Sequence, residues 1–173
     1  MSEKTENLLG TLSLLISDQI RSQTTAEVSA GGGSPAALVA LASFLGGGTN
    51  EELRSVLGLS HSATVRLVEK LEDRALIERG PGADARSVSI KPTAAGVDLA
   101  ERVLERRADV LRRALHPLSA GERKTLEELL AKVLAAQVGE QNPPRRICRL
   151  CDIEACGHHR GECPVTEANR RDR

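Results

Sequence analysis

The sequence predicts a mainly α-helical protein with one small two-stranded β unit. Three observations predict it. Apolar residues recur at three- and four-residue spacing in six separate stretches, which is the spacing of one buried helix face. Only residues 77–79 and 88–90 read as strands, and a polar loop containing Gly and Pro joins them. Hydrophobic residues make up 40% of the chain, yet Phe44 is the lone aromatic among 173 residues, so the core must be aliphatic.

The first helix spans about 3–23, where Leu8, Leu12, Leu15, Ile16 and Ile20 form one stripe. Residues 24–33 are polar and Gly-rich and read as a loop. Ser34 caps a second helix with Pro35 at its first position, where a missing N–H has no partner to lose. Leu38, Leu41, Ala42 and Leu45 make its inner face. Gly46, Gly47 and Gly48 then break the chain. No Gly-Lys-Ser/Thr follows them and no strand precedes them, so they read as a flexible connection and not as a phosphate cradle.

Residues 49–92 organise the rest. Thr49 and Glu52 fit a capping box that opens a third helix, with Leu53, Val56 and Leu57 on one face. Gly58 ends it, because Gly takes the left-handed conformation of a helix stop. Ser60 caps the fourth helix, whose buried stripe is Thr64, Leu67, Val68 and Leu71. The opposite face shows His61, Ser62, Val65, Arg66 and Glu69. A His, a hydroxyl, an Arg and one bare Val suit a major groove: Arg bonds a guanine edge or a phosphate, and an apolar side chain touches a thymine methyl. A merely solvated face would carry the same residue types.

The hairpin follows, with a tip running from Gly80 through Asp84 to Arg86. A tip Arg fits a minor groove, whose negative potential attracts it, and Asp84 is placed to orient the Arg86 guanidinium. An exposed ion pair without a DNA role is the competing reading. Helix, turn, helix and hairpin is the winged-helix order.

Residues 57–80 (LGLSHSATVRLVEKLEDRALIERG), the Asp84-Ala85-Arg86 tip, the 88–93 run VSIKPT and Gly96 together resemble the MarR family of bacterial transcriptional regulators. The resemblance covers roughly residues 8–139. It implies a homodimer, with two winged helix-turn-helix lobes reading a near-palindromic double-stranded DNA site. It places Ser60, Ser62, Val65 and Arg66 on the recognition helix and Arg86 at the wing tip. It also implies a small-molecule effector between the lobes and the helical bundle. Two positions depart from the family pattern. Val65 stands where a polar residue is frequent, and Ala75 where a Gly is common, a change expected to matter little.

A long fifth helix opens at Pro92 and Thr93 and runs to about Leu115, with Val97, Leu104, Ala108, Leu111 and Leu115 as its stripe. Its Arg-rich face carries Arg102, Arg106, Arg107, Arg112 and Arg113, and Glu101, Glu105 and Asp109 offer local i,i+4 pairs. His116-Pro117 ends it. Ser119 and Glu122 form a second capping box, opening a sixth helix to about Gly139. Its apolar face includes Leu126, Leu129, Leu130, Val133, Leu134 and Val138. The first, fifth and sixth helices have no sheet or second domain to cover, which favours a dimerisation bundle.

Beyond Gly139 the composition changes. Residues 140–146 read as a linker with Pro143 and Pro144. All four cysteines follow, Cys148, Cys151, Cys156 and Cys163, with His158 and His159 between them. A CxxC pair is a natural bite for one metal ion, and Gly157 and Gly161 permit the turns that close such a site. Structural zinc on four thiolates, or three and a His, is one reading. An iron–sulfur cluster and metal-free redox-sensing thiols are the others. His158 and His159 are possible ligands, with a solvated role the default for at least one.

The chain therefore divides into an N-terminal dimerisation helix and loop (1–33), a winged helix-turn-helix (34–92), long dimerisation helices (93–139), and a linker with a Cys-rich metal-binding tail (140–173). Formal net charge is zero, which argues against a nonspecific basic nucleic-acid binder. No apolar run approaches the roughly 18 residues of a membrane span, and no signal-peptide pattern opens the chain, so a cytoplasmic protein is expected. No cofactor loop or Glu–His pair points to an enzyme. The expectation is a homodimeric regulator, a repressor. The alternative is a protein-docking winged helix with a structural zinc tail and no DNA role.

Overall fold

In the computed structural model, residues 3–28, 34–82 and 87–171 are described. Helix α1 (Glu3–Val28) lies along α5 (Ala94–Leu115), and α2 (Ser34–Ala40) packs on the same helix. Then come α3 (Asn50–Leu57), α4 (His61–Glu72) and the antiparallel hairpin β1 (Ile77–Pro81) and β2 (Val88–Pro92). After α5 come α6 (Ala120–Ala136), the short α7 (Pro144–Ile147), a 3₁₀ turn (His158–Arg160) and α8 (Pro164–Arg171). The fold is mainly helical with a small β-wing, as the periodicity predicts.

Local chemistry explains the lobe. Thr49 and Glu52 form the full capping box of α3, with Glu52 N donating to Thr49 Oγ1 (3.2 Å) and Thr49 N to Glu52 Oε2 (3.0 Å). Ser119 and Glu122 repeat it on α6. Leu38, Leu53, Val68, Leu71 and Ile90 are sealed from solvent in one aliphatic core. Gly96 is a point of close approach: a Cβ there would sit 2.0 Å from the Leu76 carbonyl oxygen, so α5 could not lie so near β1 with any side chain at this position.

Several expectations need correction. The first helix does not stop near residue 23. It continues to Val28, which is buried, while Thr24 satisfies its hydroxyl on Ile20 O and Glu27 reaches across to Arg106 (2.8 Å) and Arg102 (3.7 Å). Those arginines therefore pair with another helix, while among the described residues Arg112 pairs locally with Asp109. The second helix passes into a π turn at Leu41–Leu45, which shifts its phase and leaves Ala42 exposed. The glycine run is a structural joint: Gly48 O accepts from Ile90 N (2.8 Å) and Gly47 O from Ser89 Oγ (3.0 Å). On α5 the buried face is Gly96, Leu99, Ala100, Val103 and Val110, whereas Val97, Leu104, Ala108 and Leu111 are half-buried and Leu115 is exposed. The helix has apolar residues on two sides, and packing of α1 and α2 chose between them. At the expected linker, Gly139 and Asn142 form a bridge and Pro144 starts α7.

Candidate nucleic-acid interface and thiol cluster

The turn between α3 and α4 is set by two residues. Gly58 takes φ 66 and its N–H bonds Arg54 O at 2.9 Å; Ser60 Oγ accepts from Ala63 N at 3.2 Å. Thr64, Leu67, Val68 and Leu71 then anchor α4 inward, with Thr64 Oγ1 donating to Ser60 O (3.0 Å). What remains outward is the expected face. Ser60, His61, Ser62 and Arg66 are exposed, and Val65 is half-buried where a bare side chain was expected. Ser60 and Ser62 share a hydroxyl contact at 3.3 Å. Arg66 has no hydrogen bond or ion pair among the described residues. The first turn of α4 carries no acid, so apart from the Ser60 cap on Ala63 N no side chain of that turn neutralises its positive dipole end.

The wing is tied to this helix. Arg79 on β1 pairs with Glu72 at the end of α4 (2.9 Å), a link that sequence spacing gave no reason to expect. Gly82 N donates to Ser87 O (2.9 Å) below the tip. Asp84 and Arg86 lie outside the described residues.

A second site lies behind α3. Cys148, Cys151, Cys156, Cys163 and His158 line one cavity of about 480 Å³, and Phe44 and Ser55 of the winged lobe line its other side. The CxxC turn closes through Cys151 N to Cys148 O (2.9 Å). Gly157 and Gly161 take φ 69 and 73, the left-handed turns that bring Cys163 back to the others. All four thiols are free and neighbour one another, and Cys151 Sγ donates to Asp152 O (3.6 Å) and Cys156 Sγ to Ile153 O (3.5 Å). The bond from Cys151 holds the Cys148 thiol below its ordinary range, and the same bond, with burial, pushes Cys151 up. Burial pushes Cys156 up to about 12. Burial also opposes a thiolate at Cys163, but hydrogen bonds from the Thr166 hydroxyl and the N–H groups of Thr166 and Val165 outweigh it and lower its pKa. His158 Nδ1 lies 3.1 Å from Thr166 Oγ1, behind Cys163. His159 is exposed and faces Glu154 (3.4 Å), away from the cavity lining. Among the described residues no three His, Cys, Asp or Glu side chains already stand as a metal-ligand set.

Known structures place the architecture. A transcription regulator of the Staphylococcus aureus multidrug efflux pump MepA, MepR, superposes with a TM-score of 0.67 at 19% identity, covering 80% of this chain and 100% of that one. A MarR-family transcriptional regulator from Rhodococcus sp. RHA1 gives 0.60 at 20% identity, over 77% and 94% of the two chains. RV1404 from Mycobacterium tuberculosis gives 0.63 at 27% identity, over 76% and 90%.

The chain has the MarR-regulator fold.

No protein-family model and no curated protein matches it by sequence. Within the MarR-type frame, α3 and α4 are the helix-turn-helix and β1–β2 the wing. MepR is matched along its whole length while a fifth of this chain is left over, a share comparable to residues 140–173. Among the described residues, no helix is long and apolar enough to cross a membrane.

Proposed function

We propose that the protein is a sequence-specific DNA-binding transcriptional regulator, a cytoplasmic repressor with no enzymatic activity. It acts as a homodimer on a near-palindromic site. The observation that carries this reading is the outward N-terminal face of α4, where Ser60, His61, Ser62 and Arg66, which has no partner among the described residues, surround a positive helix end that Ser60 caps and no acid of its first turn neutralises. Two such helices, fixed by a dimer, set the spacing of two half-sites. Arg66 reads a base edge or a phosphate, Val65 packs against a thymine methyl, and Arg86, oriented by Asp84, enters the minor groove. The exposed leucines of α1 and α6 supply the dimer contact. A small-molecule effector binds between the bundle and the lobes.

The tail binds zinc through Cys148, Cys151, Cys156 and Cys163. The donor set supports this: four soft thiols from one short segment face one cavity, with His158 beside them. Zinc, when bound, supplies a rigid four-point cross-link. An iron–sulfur cluster on the same thiols is the second reading, favoured by the all-Cys donor set. His158 supports Cys163 through Thr166, and His159 takes no part.

The test is unbiased selection of DNA by the full chain, followed by anisotropy titration on the enriched site. An inverted repeat is expected, with affinity falling linearly against salt on logarithmic axes. Arg66→Ala is expected to cost about 1–3 kcal/mol of binding and, if it reads a base, to relax preference at one position of each half-site. Failure to enrich any sequence would overturn the regulator reading in favour of a protein-docking winged helix.

A further inference from the structure

The thiol segment touches two parts of the molecule that must keep a fixed relation if the chain reads DNA as a dimer. Helix α8 packs on α6, the helix with the exposed leucine face, and α7 packs on both α8 and α3. Three side chains make the inner attachment. Arg145 Nη1 reaches Glu52 Oε1 at 3.4 Å. The other oxygen of that carboxylate is the one that caps α3, accepting from Thr49 N at 3.0 Å. The Arg146 guanidinium lies against Gly58, so close that a Cβ there would meet Nη2 at 2.9 Å. Leu150 packs onto the aliphatic core. The tail therefore grips both ends of α3: its N-cap carboxylate and the turn that leads into α4.

Residues 148–163 have little to hold them in shape. They contain only the 3₁₀ turn, and Cys163 and Gly157 are their only buried residues. A segment so short cannot build a core of its own and needs a cross-link to become stiff. The four thiols stand around a single cavity that opens onto Phe44 and Ser55 of the lobe.

We propose that the tail is a strut between α6 and the first helix of the helix-turn-helix. A thiophilic divalent cation taken up by Cys148, Cys151, Cys156 and Cys163 stiffens it, so that cation occupancy sets the posture of the lobe relative to the bundle. The consequence for DNA rests on the regulator reading above; the mechanical link does not. Arg145 and Arg146 are the coupling residues. They line the same cavity as the thiols, but a guanidinium has no lone pair to offer a cation, and theirs reach Glu52 and Gly58 instead.

The test is hydrogen–deuterium exchange on the full chain, stripped with chelator or supplied with Zn²⁺ alone, with zinc content measured on the same samples. Zn²⁺ is expected to slow exchange in 148–163, and also in α3, by about tenfold or more. In an Arg145→Ala, Arg146→Ala double variant, zinc content and the slowing in 148–163 should persist while the effect on α3 is lost. Arg145→Lys should restore part of it. Absence of zinc uptake, protection confined to 148–163, or an α3 response that survives the double variant would each overturn the proposal. None of these readouts uses DNA, so a failed DNA selection leaves them standing, and their failure leaves the DNA reading standing.

Discussion

Helices α4 and α6 carry nearly the same apolar stripe and meet opposite fates. On α4, Leu67, Val68 and Leu71 are 7%, 0% and 0% exposed. On α6, Leu129, Leu130, Val133 and Leu134 are 53%, 44%, 50% and 40% exposed. The N-terminal half of α1 behaves like α6, with Leu8, Leu12 and Leu15 open to solvent. Periodicity marks which side of a helix seeks cover, but not what covers it. The lobe finds its cover within one chain; α1 and α6 each leave a row of apolar side chains open, of the kind that signals a partner. A lone solvent-facing Leu carries no such message, whereas several on one helix face do.

Charging the α6 face should separate the two regions most strongly. Leu130→Glu with Val133→Glu would place two unpaired carboxylates in the proposed dimer contact, a burial cost of several kcal/mol by the usual penalty for uncompensated charge, about enough to abolish association. Sedimentation of the variant at micromolar concentration should give a monomer mass, with helical content of the lobe retained. A dimer of unchanged mass would locate the interface elsewhere.

The same comparison explains what could be read in advance. Both capping boxes, the Gly58 stop, the Ser60 cap and the stripe of α4 are legible because each depends on residues within four positions of one another. The extension of α1 to Val28 is not. It depends on Glu27 meeting Arg106 some 79 residues away, and on Arg74 Nη1 donating to Val28 O. Spacing alone picks the wrong side of α5, because both of its sides hold apolar residues and only the packing of α1 and α2 selects one. The four cysteines announce a site by spacing, yet nothing local says that Arg145 would find Glu52, 93 residues earlier. The outward face of α4 was legible, apart from the half-buried Val65, because exposure there is the complement of the stripe.

A core truncation sharpens the lobe's half of the contrast. Leu71 is wholly enclosed, so Leu71→Ala should cost about 2–5 kcal/mol, from lost transfer energy plus the cavity left behind. Urea unfolding should report this loss at the transition of the lobe. The equivalent change on α6, Leu129→Ala, removes a side chain that the single chain leaves 53% exposed. Its cost should appear in the dependence of the midpoint on protein concentration, because it acts through association. Equal, concentration-independent losses for the two variants would erase the distinction.

The smallest effect concerns Ala75, expected from the sequence to matter little. It closes α4 in a left-handed conformation, φ 54. Its N–H bonds Glu72 O at 2.7 Å, and Leu76 N bonds Leu71 O at 3.0 Å, which is the double bond pattern of a helix stop normally built on Gly. The position is pinned from the other side too, since Thr93 Oγ1 donates to Ala75 O at 2.7 Å while capping α5. An L-residue with a Cβ pays about 1–2 kcal/mol there, and Gly would return roughly 0.5–1 of that as added freedom of the unfolded chain. Ala75→Gly should therefore stabilise the protein by about 0.5–1 kcal/mol. The gain should be visible as a higher urea midpoint that does not move with protein concentration, because the stop lies within the lobe and owes nothing to a partner. A loss of stability in that variant would mean that the Ala75 methyl makes a contact worth more than the strain it carries.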